Sequence, residues 1–157
     1  MCIRDRYQVR AAVLDERSQA LGASAQFIEV PRVGPGRLAL SSVVLAVADD
    51  AGQPLSTVFP RRSRLQYRGT IYDGRRGDGG VATQATVLRD GRPVYTSPPA
   101  PVAATPATAE VAALPFAGTL ALGDDLEPGA YTLQVSVSPA EGAKGPRVVQ
   151  LVDFDVR

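Results

Sequence analysis

The chain is 157 residues long and 45% apolar, with 17 Lys and Arg against 16 Asp and Glu and a net charge of +1. That suits a globular domain plus part of another, not a disordered chain. A balance so close to neutral excludes long-range attraction to nucleic acid or anionic lipid, and no apolar run approaches the ~18 residues of a helical membrane span.

Residues 1–6, Met-Cys-Ile-Arg-Asp-Arg, resemble the translation of a sequencing-adaptor end. On that resemblance Met1 and Cys2 are not native, and the protein proper begins near Tyr7 as part of a larger chain. The lack of a leader peptide then carries no information. In residues 7–14, Val9, Ala11 and Val13 fall on one face, with Gln8, Arg10 and Ala12 on the other, a strand pattern. Residues 15–18 read as a turn and residues 24–30 as a second strand centred on Phe27. Residues 7–30 are therefore expected to be a strand pair left over from an upstream domain. The two prolines and two glycines of residues 31–36 cannot continue a ladder and read as a linker.

Residues 37–47 carry a nearly continuous apolar run and are expected as one strand, ended by Asp49-Asp50-Ala51-Gly52. Residues 64–73 place Leu65, Tyr67, Gly69 and Ile71 on one face. A glycine-rich loop, 74–80, precedes a strand over 81–88 with Val81, Thr83, Ala85 and Val87 on one side. Asp90-Gly91 is a hairpin turn into residues 92–96, because both residues tolerate positive φ. Residues 97–108, rich in Pro, Ala and Thr, read as an extended loop. Pro115 is expected to divide 109–122, leaving 118–122 as the strand. Tyr131, Leu133, Val135 and Val137 then alternate with Thr132, Gln134 and Ser136. A tyrosine just after a turn, at the head of a strand, matches the tyrosine corner of immunoglobulin-like sandwiches. Residues 147–156 close the series with Val152, Phe154 and Val156 inward and Asp153 and Asp155 outward. The expected fold is all-β: an antiparallel immunoglobulin-like β-sandwich over residues 37–157, preceded by the partial strand pair. Its core should hold Leu65, Tyr67, Ile71, Val87, Tyr131, Leu133, Val135 and Phe154.

Candidate chemistry is sparse. His, Trp and Asn are absent and Lys144 is the only lysine, a skew typical of a GC-rich coding sequence that takes functional weight from the arginines. A serine nucleophile has no His to activate it, and Lys144 lies in a turn-like stretch. Asp124, Asp125 and Glu127 could form a glycosidase pair, and Asp49, Asp50, Asp124 and Asp125 offer hard oxygens for calcium. None has the spacing of a calcium loop, and solvated turns explain both groups. Without Cys2 there is no thiol for a disulfide or a metal. Arg76-Gly77-Asp78 is the tripeptide of integrin ligands, set in a loop that lacks a Walker pattern. Arg61, Arg62, Arg64 and Arg68 form the densest basic group. On a strand, Arg62, Arg64 and Arg68 would share a face, but Tyr67 points away from it, so no nucleic-acid partner is expected. Tyr72 and Tyr95 are the rings placed to stack on a sugar.

Residues 7–13, 22–31 and 37–42 (Tyr-Gln-Val-Arg-Ala-Ala-Val, Gly-Ala-Ser-Ala-Gln-Phe-Ile-Glu-Val-Pro and Arg-Leu-Ala-Leu-Ser-Ser) resemble the region after the von Willebrand factor A domain of acidobacterial VWFA-related proteins. The pattern Leu126-x-Pro128-Gly129-x-Tyr131-x-Leu133-Gln134-Val135, with Asp-Phe-Asp-Val-Arg at 153–157, is similar to the C-terminus of the same proteins. The resemblance implies an exported bacterial protein, secreted, periplasmic or at the cell surface. The A domain's metal-dependent adhesion site does not carry over, because its Asp-x-Ser-x-Ser motif is absent. The expectation is a non-enzymatic structural or protein-interaction module, with a protein or cell-surface partner and no cofactor, metal or catalytic residue. The alternative is a carbohydrate-binding accessory module. The candidate binding residues are Arg76, Gly77 and Asp78 for the first, and Tyr72 and Tyr95 for the second.

Overall fold

The computed structural model describes residues 6–17, 19–29, 32–48, 55–75, 80–103, 110–140 and 145–157. The chain divides into two compact units, Met1–Arg32 and Val33–Arg157. Among the described residues every regular element is a β-strand.

The first unit is a hairpin of β1 (Arg6–Leu14) and β2 (Ala20–Glu29), paired antiparallel from Arg6↔Glu29 to Val13↔Gly22. The Asp15 carboxylate accepts the N–H groups of Arg17 and Gln19 at 2.9 and 2.7 Å. This side-chain closure of the turn lets pairing begin at Ala20, earlier than the expected Ser24.

Among its described residues the second unit has ten strands: β3 (Leu38–Leu40), β4 (Val44–Val47), β5 (Val58–Phe59), β6 (Arg64–Asp73), β7 (Val81–Arg89), β8 (Arg92–Thr96), β9 (Ala100–Val102), β10 (Ala112–Ala121), β11 (Gly129–Pro139) and β12 (Val148–Val156). One sheet runs β10–β6–β3, with β4 further along β6. The other runs β5–β12–β11–β7–β8, with β9 further along β7. Every pair is antiparallel except β5 with β12. A single apolar core joins residues of both sheets, so the unit is a β-sandwich.

Period-two alternation decides which side chains fill that core. Leu65, Tyr67 and Ile71 on β6, Val81, Thr83, Ala85 and Val87 on β7, and Tyr131, Leu133, Val135 and Val137 on β11 are all buried, as are Phe154 and Val156 on β12. The Val, Leu, Ile and Phe side chains among them each contribute roughly 1.5–3 kcal/mol when fully buried. Asp90 and Gly91 take φ of 51° and 75°, the two positive values that a twist-matched two-residue hairpin needs. Two glycines on β6 and β10 have a different task. Tyr67 lies opposite Gly118 and Gly69 opposite Phe116. Each aromatic ring covers the glycine across from it, and the two rings meet with centroids 6.5 Å apart.

Several elements differ from the sequence expectation. The run 37–47 is two strands, because the register on β6 slips between Leu40↔Ile71 and Val44↔Arg68. Residues 41–43 oppose two residues of β6, which is a bulge. Ser41 bridges it: its N–H donates to the Thr70 carbonyl and its Oγ accepts the Thr70 N–H, both at 2.9 Å. The stretch expected as loop after Thr96 contains β9, and the same device recurs there. Register slips between Thr86↔Thr96 and Thr83↔Ala100. Ser97 N–H donates to the Ala85 carbonyl at 2.8 Å, and Ser97 Oγ accepts the Ala85 N–H at 3.0 Å.

Pro115 does not divide β10. Thr70, its partner on β6, gives both its N–H and its C=O to Ser41 on the opposite side. The ladder between β6 and β10 therefore asks nothing of residue 115, and the proline ring sits at an outward-facing position of an edge strand, where proline is tolerated. The two-residue β5 was not expected at all. Its Phe59 is 0% exposed and meets Phe154 edge-on at 6.0 Å.

Candidate functional site

The charged turns come first, because they hold most of the acidic and basic residues singled out in the sequence. Arg62 stands at φ 63° in the turn before β6, not on a strand face with Arg64 and Arg68, and its guanidinium binds the Asp124 carboxylate. Arg61 donates to the Asp124 carbonyl at 2.7 Å. Arg89 binds Glu127 at 2.7 Å and lies 5.5 Å from the centre of the Tyr131 ring. The Tyr131 hydroxyl in turn donates to the Glu127 carbonyl at 2.7 Å. Asp73 receives two hydrogen bonds from the Arg75 guanidinium, at 2.9 and 2.7 Å, and one from the Arg75 N–H. Those bonds hold the Asp73 carboxyl below the usual carboxylate range, against the opposing effect of burial. The Arg62–Asp124 pair joins two turns, and the other two pairs tie the end of a strand to the turn or loop beside it.

Among the described residues no group of three or more His, Cys, Asp and Glu side chains gathers to hold a metal ion. Asp49, Asp50, Lys144 and the Arg76-Gly77-Asp78 tripeptide lie outside the described residues. Tyr72 is half-buried on β6, opposite Ala39 and Ala113. Tyr95 is 48% exposed on β8. The two tyrosines belong to different sheets, so they do not form one stacking row.

Tyr95 lies beside a cleft. Between β8 and β10 the two sheets part around a cleft of about 360 Å³, at the lower end of the volumes that ligand clefts take. Val87, Leu120 and Leu122 are buried beneath it, and Val94 and Tyr95 stand exposed on one side. Thr119 and Ala121 of β10 form the other side, and Asp125 lies at the rim. Tyr67, buried nearby, has its phenol pushed above the ordinary value by burial and, in the same direction, by Tyr95. It is therefore a neutral side chain at neutral pH.

Among the described residues both walls of the cleft are sheet edges, since β8 pairs only with β7 and β10 only with β6. On β10 the free groups can be assigned. Pro115 faces outward for the reason given above, and backbone groups two residues apart point the same way. Ala117, Thr119 and Ala121 therefore turn their N–H and C=O groups away from β6. The 64↔121 pair agrees, because the Arg64 carbonyl accepts the Ala48 N–H on the far side of β6. The cleft thus combines an apolar floor with a row of backbone donors and acceptors that have no partner among the described residues. The sequence singles out Tyr95 as a candidate but not its setting. The setting depends on how two distant edges face each other, for which no local pattern exists.

No family model matches the chain, and no curated protein matches it. Among the described residues no helix is long and apolar enough to cross a membrane.

Proposed function

We propose that the Val33–Arg157 unit is an immunoglobulin-like, non-enzymatic structural or protein-interaction module of an exported, multi-domain bacterial protein related to VWFA-domain proteins. The observation that carries this reading is the use of its charged groups. Asp73, Asp124 and Glu127 are each paired with an arginine near the end of a strand or in a turn, which supports a scaffold role for these carboxylates. The immunoglobulin-like part is supported by the sheet order and by the hydrogen bond from Tyr131, at the head of β11, to a carbonyl four residues upstream. Export and the VWFA relationship rest on the sequence resemblance alone. Their test is the genomic sequence upstream of codon 7, which should encode an A-type domain and an export signal.

One observation favours the carbohydrate-binding alternative: the half-exposed Tyr95 ring beside an apolar cleft. A glycan array, with titration against insoluble polysaccharides, separates the two readings. The interaction-module reading expects no saturable glycan binding. Saturable binding that is lost in Tyr72→Ala or Tyr95→Ala overturns it.

A further inference from the structure

We infer that the cleft between β8 and β10 takes an extended polypeptide segment, which adds as a strand to the free edge of β10 and sets alternate β-branched or aliphatic side chains on the Leu120–Leu122 floor. The inference deepens the interaction-module reading and rests on it.

Three features of the cleft select this occupant. The first is the backbone edge. Ala117, Thr119 and Ala121 present N–H and C=O groups outward, at the two-residue spacing that a neighbouring strand requires. A compact apolar molecule has no use for such a row, whereas strand addition to a free edge is a recurring mode of peptide recognition. The second is the alternation beneath it. A strand laid on β10 turns every second side chain toward the interior, and here the interior offers Val87, Leu120 and Leu122. The facing wall, Val94 and Tyr95 on β8, is apolar and exposed, ready to cover the same side chains from the other side. The third is charge. Asp125 lies at the rim with no ionic partner among the described residues, so a Lys or Arg beside the apolar positions fits one end of the segment. The same edge ends its invitation at Pro115, which offers no N–H. The docking stretch is therefore the half of β10 that lines the cleft.

The test uses the full chain and one probe, a fluorescein-labelled heptapeptide Lys-Thr-Val-Thr-Val-Thr-Lys with blocked ends. It is compared with the same peptide N-methylated at the alternate residues whose N–H groups would face β10. Fluorescence polarisation should show saturable binding of the first and at least about tenfold weaker binding of the second, since only backbone hydrogen bonds differ. Thr119→Pro removes one outward N–H and no ladder bond, so it should leave the melting temperature unchanged while weakening the probe by a similar factor. Tyr95→Ala, at an exposed position, should also weaken it and serves as the second variant if Thr119→Pro does not fold. Equal binding of both peptides would mean apolar adhesion without strand addition, and no saturable binding would mean that the cleft takes no peptide; either overturns the inference. So does self-association of the full chain that Thr119→Pro abolishes, because a second copy would then be the occupant. None of these outcomes touches the parent reading, which fails on the glycan result instead.

Discussion

Gly118 and Tyr67 share one cross-strand position between them. A Cβ on residue 118 would run into the Tyr67 ring, which has Phe116 packed beside it. Gly118→Ala should therefore destabilise the sandwich by about 1–3 kcal/mol, as overpacking does, measured by chemical denaturation. Gly123→Ala is the control, since nothing lies within 4 Å of a Cβ there. Asp73 gives a residue-scale prediction of another kind. Its carboxyl is held below the usual range chiefly by the Arg75 guanidinium. A group depressed in the folded state stabilises the fold at pH values above its unfolded pKa, about 3.9, and that stabilisation is lost as pH falls through the lower folded value. Wild-type stability should thus fall between about pH 4 and the depressed value, and Asp73→Asn should remove that part of the acid slope. An unchanged slope would mean that the Asp73–Arg75 pair does not persist in solution.

At the scale of elements, the strands that alternate cleanly were legible in the sequence, and the irregular ones were not. β6, β7 and β11 bury apolar residues at alternating positions along nine or more residues, and β12 alternates too, burying Phe154 and Val156, so each carries its own signal. β5 is two residues long, too short for any periodicity, yet its Phe59 is fully buried. β10 was hidden by Pro115, whose tolerance depends on Ser41, six strands earlier in sequence. The breaks between β3 and β4 and between β8 and β9 looked like a continuous run and a loop. What distinguishes them is a serine that acts as a piece of backbone, and a serine in a sequence does not announce that role. The candidate site was half legible for the same reason: Tyr95 is visible as an unplaced aromatic, while the cleft exists only once β8 and β10 face each other. The two serine bridges can be checked directly. Ser41→Ala leaves the Thr70 N–H without its acceptor, and Ser97→Ala does the same to the Ala85 N–H. Each should cost about 1–3 kcal/mol, the range for a donor left unsatisfied in a partly buried site. Ser42→Ala should cost little, because only the Ser42 carbonyl is used, by Ser41 Oγ. Equal losses in all three would show that the hydroxyls do not carry the bulges.

For the molecule as a whole, the contrast between the two units sets the expectation. The sandwich closes around a core drawn from both its sheets. The hairpin, taken by itself, is a pair of strands with two free edges, and Tyr7, Val9, Val13, Leu14 and Leu21 on it are about half exposed or more. A lone two-stranded hairpin is marginal in water, and unpaired edges flanked by apolar side chains tend to recruit another chain. The full chain should therefore self-associate more strongly than residues 33–157 alone, while both melt with the same sandwich transition. Light scattering over a concentration series, paired with thermal unfolding, checks this. Equal scattering would mean that the hairpin edges are already satisfied. A monomeric full chain beside an aggregating 33–157 would reverse the assignment and make the hairpin a working part of the sandwich. The peptide probe links the two scales. If the long chain associates through the hairpin, Thr119→Pro should leave that association intact, because the edge it alters belongs to β10.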